Sequence, residues 1–188
     1  MVTAIFGGTF DPIHNAHLTV AREAADEFGL DRVLLIPAAR PPHKSTSADY
    51  EDRYRMVQLA CAEDRRFVPS RLEAGDQPSY SIDTIEKVRR ETDDLWFLIG
   101  ADAFAEITTW RRWEDVIART GFIVVTRPGH AYETPPGARV RRLDTLALPV
   151  SSSDIRSQLA AGVIPPELPE KVAAYIIERR LYGWPSTD

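Results

Sequence analysis

Five short runs of the chain are apolar through most of their length: TAIF (3–6), RVLLIP (32–37), RFVPS (66–70), LWFLIG (95–100) and GFIVVT (121–126). A strand with one wet face alternates apolar and polar residues, whereas a run without alternation suits a strand buried on both faces. Helical patterns separate the runs. HLTVAREAADEFG (17–29) ends at Gly29, suited to a left-handed cap. DYEDRYRMVQLACAEDR (49–65) begins at Asp49, a candidate N-cap. SYSIDTIEKVRRE (79–91) follows a Gly-Asp-Gln-Pro turn. Strands that alternate with helices form a parallel sheet covered on both sides. The predicted fold is therefore α/β, a Rossmann-like doubly wound parallel sheet in one domain spanning residues 1–188. The stretch 126–150, rich in proline and glycine, reads as loop plus a short strand. SSSDIRSQLAAG and LPEKVAAYIIERRLYG read as two closing C-terminal helices.

Bulk properties exclude several classes. A hydrophobic content of 44% in 188 residues supplies a core on both sides of a sheet. A net charge of −5 is opposed to general nucleic-acid binding, which calls for a basic surface. The one cysteine, Cys61, allows no internal disulfide, and its apolar helical setting predicts a buried, inert thiol. The N-terminus has neither the basic region nor the apolar run of a signal peptide, and no apolar stretch reaches the ~20 residues of a bilayer span. The expectation is a cytoplasmic protein without membrane contact.

Ligands of such sheets bind beyond the carboxyl ends of the strands. The unusual chemistry collects in those loops, foremost in IFGGTFDPIHNAHL (5–18). Its double glycine matches neither the dinucleotide fingerprint nor the Walker A pattern. The second strand also ends in PAAR, without an acid for a ribose hydroxyl, which disfavours a nicotinamide-dependent oxidoreductase. His14 and His17 fall at the entry of the first helix, spaced so that both rings share a face. Two imidazoles beside a helix N-terminus suit an anion with several oxygens. A zinc pair is disfavoured, because the spacing is i, i+3 without an adjacent glutamate or a Cys/His cluster. Later loops add His43 and Lys44 in RPPHKST, Gly100 and Asp102 just past a strand, and serine N-caps with Arg156 one turn on in VSSSDIR.

GGTFDPIHNAH resembles the signature of the nucleotidyltransferase superfamily. PPHK (41–44), SYSIDT (79–84), FLIGADAF (97–104), TW (109–110), TRPG (126–129), VSSSDIR (150–156) and LYGW (181–184) follow in family order. Together they resemble the bacterial nicotinate-nucleotide adenylyltransferases over essentially the whole chain. The resemblance implies transfer of AMP from ATP to nicotinate mononucleotide, releasing pyrophosphate, in NAD biosynthesis. It implies catalytic roles for His14, His17 and Arg156, with Arg156 on the β,γ-phosphates. Gly7, Gly8, Thr9, Phe10, Gly100, Asp102, Ser151 and Ser152 would line the ATP site. His43, Lys44, Ser81, Trp110 and Arg127 would hold the mononucleotide, Trp110 stacking on its pyridine ring. Mg²⁺ would ride on the triphosphate, held by substrate oxygens and water, with no protein ligand assigned. The implied partners are these small molecules alone, with a homo-oligomer left open. Trp96, Trp113 and Trp184 are assigned to the core.

Three positions depart from the family: Ala16 replaces its glycine between the histidines, PAAR its asparagines before PPHK, and Arg111 its tyrosine after Trp110. Two rival readings differ in class. The phosphopantetheine adenylyltransferases carry Thr-x-Gly-His and lack SYSIDT. The other rival is a non-catalytic nucleotide-sensing or partner-binding domain that kept the pocket; retention of His14, His17, Lys44 and Arg156 argues against such decay, and an assay decides between them.

Overall fold

Alternate residues of each central strand face opposite sides of the sheet, and both sides are dry. In the computed structural model, which describes residues 1–41, 45–147 and 150–186, Ala4, Val33, Leu35, Trp96, Leu98 and Ile123 enter one core cluster. Their neighbours Ile5, Leu34, Ile36, Leu95, Phe97, Ile99, Phe122 and Val124 enter another. This two-sided burial is the physical reason that the apolar runs do not alternate. Each fully buried Leu, Ile or Phe in them contributes about 1.5–3 kcal/mol over an exposed one.

The strands are β1 (Val2–Gly8), β2 (Arg32–Pro37), β3 (Phe67–Pro69), β4 (Asp94–Gly100), β5 (Gly121–Thr126) and β6 (Val140–Asp144). They form one sheet in the order β3-β2-β1-β4-β5-β6, with every neighbouring pair parallel. β1 pairs with β2 on one side and β4 on the other, so the strand order reverses there and a crevice opens beyond its carboxyl end. Helices α1 (Asn15–Phe28), α2 (Tyr50–Cys61), α6 (Ser152–Ala160) and α7 (Glu170–Arg179) supply the first core cluster. Helices α3 (Ser81–Val88), α4 (Ala101–Ala105) and α5 (Trp113–Arg119) supply the second.

The helix ends follow the expected chemistry. Gly29 closes α1 at φ 63, a left-handed conformation that glycine adopts without a Cβ penalty. The Asp49 carboxylate accepts from the Asp52 amide at 2.8 Å and caps α2. Ser151 caps α6 through the Asp154 amide at 3.3 Å. Cys61 is buried, and burial pushes its thiol up to about 12, so it stays protonated and inert. Among the described residues, no helix is long and apolar enough to cross a membrane.

Two details go beyond the sequence reading. The short strand expected within 126–150 is the edge strand β6, whose Arg141 lies over the Trp96 ring at 4.0 Å, with Arg139 at 4.9 Å. Trp96 is core as expected, whereas Trp113 and Trp184 are only half-buried: Trp113 opens the short helix α5 and Trp184 packs on the rim of the first cluster.

Candidate active site

The loop after β1 turns sharply. Phe10 adopts φ 49 and is buried, its ring edge-on to Phe6 at 5.7 Å and to His17 at 5.1 Å. A Cβ at position 8 would stand 3.1 Å from the Phe10 ring, close enough that the ring would have to give way. Phe10, expected beside ATP, packs edge-on against His17 and also lines the cavity between the first loop and the start of α6.

His14 is the N-cap of α1 and His17 lies in its first turn. The His14 amide donates to His17 Nδ1 at 3.2 Å. With Nδ1 accepting, a neutral His17 carries its proton on Nε2. The two rings stack at 3.7 Å with 25° between their planes. Burial pushes His14 down to about 4. His17 is held well below its ordinary value, first by burial and then by the neighbouring His14. Both imidazoles are therefore neutral at pH 7 before an anion arrives.

Two cavities meet at this pair. One, of about 560 Å³, opens between α1 and the ends of β4 and β5, lined by His14, His17, Gly100, Asp102, Arg127 and Ser152. The other, of about 670 Å³, lies between the first loop and the start of α6, lined by Gly8, Thr9, Phe10, Ser151, Ser152 and Arg156. His17 and Ser152 belong to both. Added at Gly100, a Cβ would meet nothing within 4 Å, so a ligand reaches the backbone there freely. The start of α6 is docked on the first loop: Ser152 Oγ donates to the Pro12 carbonyl at 3.4 Å and Arg156 Nη1 to the Asp11 carbonyl at 2.8 Å. The positive ends of α1 and α6 thus converge on one space.

A buried polar framework, not anticipated from the sequence, holds these loops. Arg53 is 1% exposed. Its guanidinium donates to the carbonyls of Thr9 and Ala38 at 2.8 Å and of Ala48 at 3.2 Å. The Asp11 carboxylate accepts from the Ser47 amide at 2.6 Å, the Ala48 amide at 3.1 Å and the Tyr182 hydroxyl at 2.7 Å. A helical arginine in EDRYR reads as a surface residue, and nothing in its local pattern marks it for burial. His130 was also missed. It lines the first cavity from the loop after β5, where its only signal was position in a carboxyl-end loop.

The remaining expected residues lie apart from these cavities. Gly7 sits within β1, in register with Ile36. Ser81 begins α3. Trp110 stands edge-on to Phe97 at 5.7 Å. Arg111 places its guanidinium 4.7 Å over the Tyr80 ring, next to the α3 start. Of the positions that depart from the family, Ala16 does line the first cavity, beside both histidines. His43 and Lys44 lie outside the described residues. No cluster of three or more His, Cys, Asp or Glu suited to a metal occurs among the described residues.

Comparison with known proteins shows what the chain is similar to. The cytidylyltransferase-like family matches residues 5–158. A probable nicotinate-nucleotide adenylyltransferase from Solibacter usitatus is 61% identical over 188 residues, covering 97% of this chain and 100% of that protein. A protein of the same description from Thermus thermophilus is 42% identical, again over 97% of this chain and 100% of its own length. In fold, the chain matches the nicotinic acid mononucleotide adenylyltransferase of Plasmodium falciparum, solved with NaAD. The TM-score is 0.81 at 19% identity, covering 97% of this chain and 98% of that one.

Proposed function

The chain belongs to the nicotinate-nucleotide adenylyltransferases, within the cytidylyltransferase-like family, and from that premise we propose how its site performs the reaction. It transfers AMP from ATP to nicotinate mononucleotide, forming nicotinate adenine dinucleotide and pyrophosphate in NAD biosynthesis. A phosphate oxygen of the mononucleotide attacks the α-phosphorus of ATP in line, and pyrophosphate departs from the opposite side. The attacking oxygen comes from the substrate, so no covalent enzyme intermediate forms. Catalysis is positioning and stabilisation of charge.

The observation that carries this reading is the orientation of His17. Its Nδ1 is occupied by the His14 amide, so Nε2–H is the group offered where the two cavities meet. There it donates to the α-phosphate as negative charge grows, and His14 stacks beside it. Arg156 and the first amides of α6 take the β,γ-phosphates. Those amides, of Ser152 and Ser153, have no partner among the described residues. Gly100 and Asp102 receive the adenosine, Asp102 accepting from ribose hydroxyls. Arg127 and, from outside the described residues, His43 and Lys44 complete the phosphate contacts.

The described residues offer no carboxylate cage. Mg²⁺ would enter on the triphosphate, held by substrate oxygens and water, and would neutralise part of its charge. The whole chain, residues 1–188, acts as one adenylyltransferase domain in the cytoplasm. Its partners are ATP and the mononucleotide, without nucleic acid.

Preference for the acid over the amide follows from α3. Its start at Ser81 offers free amides, and Arg111 stands next to it over Tyr80. Both attract a carboxylate, and neither accepts from the NH₂ of an amide. Trp110 stacks on either ring. The test is pyrophosphate release from ATP and Mg²⁺ with nicotinate or nicotinamide mononucleotide. The acid is expected to be used about a hundred-fold better in kcat/KM. Equal use would discard the carboxylate site at α3, and no release with either would discard the reaction.

A further inference from the structure

The chain leaves α7 in an uneasy conformation. Arg180 and Tyr182 adopt φ 52 and φ 57, with Gly183 following at φ 72. Glycine holds such angles freely, whereas a tyrosine there crowds its Cβ against the backbone. Strain of this kind persists only where the surroundings compel it. What the conformation achieves is a contact across 171 positions of sequence: the Tyr182 hydroxyl donates to Asp11 Oδ1 at 2.7 Å.

Asp11 is where the walls of the second cavity are joined. Its carboxylate holds the Ser47 and Ala48 amides, and its carbonyl accepts from Arg156. Asp11, Thr9, Ser45 and Arg156 all line that cavity. Arg53 fastens the Thr9 carbonyl from below. The charges facing the Tyr182–Asp11 contact are those two guanidiniums. If the phenol let go, the buried carboxylate would need another donor, and Arg156 is the one already bound to the same residue.

We infer that Tyr182 is a positioning residue of the AMP-transfer site: by satisfying the Asp11 carboxylate, it fixes the two loops of the second cavity and keeps the Arg156 guanidinium available to the substrate phosphates. Burial, with the Asp11 charge beside it, holds the phenol protonated above its ordinary range, so it donates at every working pH. Tyr182 is not needed to dock α7. That helix is fastened separately, by Tyr175 and Arg179 on Asp52 at 2.7 and 3.3 Å. The inference rests on the reaction proposed above for its catalytic consequence, but the Tyr182–Asp11 coupling can be tested without it.

The experiment compares full-length wild type with Tyr182→Phe, which removes one oxygen and keeps the ring. Pyrophosphate release at 25 °C with saturating ATP and nicotinate mononucleotide is read beside melting temperature and amide hydrogen exchange at Ser47 and Ala48. The expected result is a kcat lower by about ten-fold or more, a raised KM for ATP, and faster exchange at both amides, with melting still far above 25 °C. In an Asp11→Asn background the further effect of Tyr182→Phe should largely vanish, since the two act as one unit. Tyr182→Gly, which relieves the backbone, should melt above Tyr182→Ala yet turn over as slowly as Tyr182→Phe. A lower melting temperature with wild-type kcat and KM would overturn the inference, leaving Tyr182 a support of the fold. Fully additive effects with Asp11→Asn would overturn it as well. Should wild type release no pyrophosphate, the proposed reaction fails, and unchanged exchange at Ser47 and Ala48 in Tyr182→Phe would separately sink the coupling.

Discussion

The stacked histidines make the stability of the empty protein depend on pH in a way that can be worked out. His14 has its pKa lowered from 6.5 to about 4 because burial disfavours its charged form. The unfolded chain, with an ordinary imidazole, binds the proton more readily, so stability is intact above 6.5 and falls with pH toward 4. Between pH 7 and pH 5 this one group accounts for a loss of about 2 kcal/mol, from RT times the logarithm of the ratio of the two proton-binding polynomials. With a urea m-value of about 2 kcal/mol/M, the midpoint should fall by about 1 M for this reason alone. The perturbation is His14→Asn, which removes the titrating ring and leaves a good N-cap residue in its place. Urea unfolding of both proteins at pH 7 and pH 5 gives the difference. Glu73, pushed upward by burial, and the carboxylates held low by arginines, Asp64 and Asp115, titrate alike in both chains and cancel. His17 remains lowered in the variant, so some acid sensitivity stays. The variant should lose about 2 kcal/mol less than wild type over this interval. An equal loss in the two proteins would refute the view that the folded site holds His14 neutral.

Two further outcomes test the site and the core. Replacing His17 by alanine removes the Nε2 donor at the edge of the first core cluster, where its ring meets Phe6 and Phe10 of that cluster edge-on, so kcat should drop by roughly 10²–10³ while circular dichroism stays that of wild type; near-normal turnover would take His17 out of the chemistry. Gly121→Ala would place a Cβ 2.5 Å from the Trp96 ring. That indole is pinned by its Nε1 donation to Asp94 and by Arg141, so overpacking should cost about 1–3 kcal/mol. A melting temperature within a degree of wild type would show that the indole moves aside.

The fold was largely legible because its strands are buried on both faces. That burial leaves unbroken apolar runs, and runs alternating with helical patterns admit few arrangements other than a doubly wound parallel sheet. Caps at Gly29, Asp49 and Ser151 were legible for a similar reason, since each is settled by the local backbone. The edge strand β6 was less so. Its arginines reach over Trp96 from a neighbouring strand, and no local pattern records that.

At the site, the sequence by itself determined which chemical groups stand beyond the strand ends: the histidine pair, the serine caps of α6, Arg156, Gly100 and Asp102. Their spacing is local, and the rule that ligands bind at carboxyl ends needs only the order of elements. What the tertiary structure alone decided is how those groups are aimed. The start of α6 is aimed at the first loop by Ser152 on the Pro12 carbonyl and Arg156 on the Asp11 carbonyl, contacts that span 140 and 145 positions. Phe10 turned inward because the loop takes a left-handed step that a phenylalanine does not announce. Arg53, Asp11 and Tyr182 lie 42 to 171 positions apart in sequence and meet only after folding. A buried charge is tolerable only where its hydrogen bonds are met, and which carbonyls and amides meet them is settled by long-range packing, beyond the reach of any local pattern.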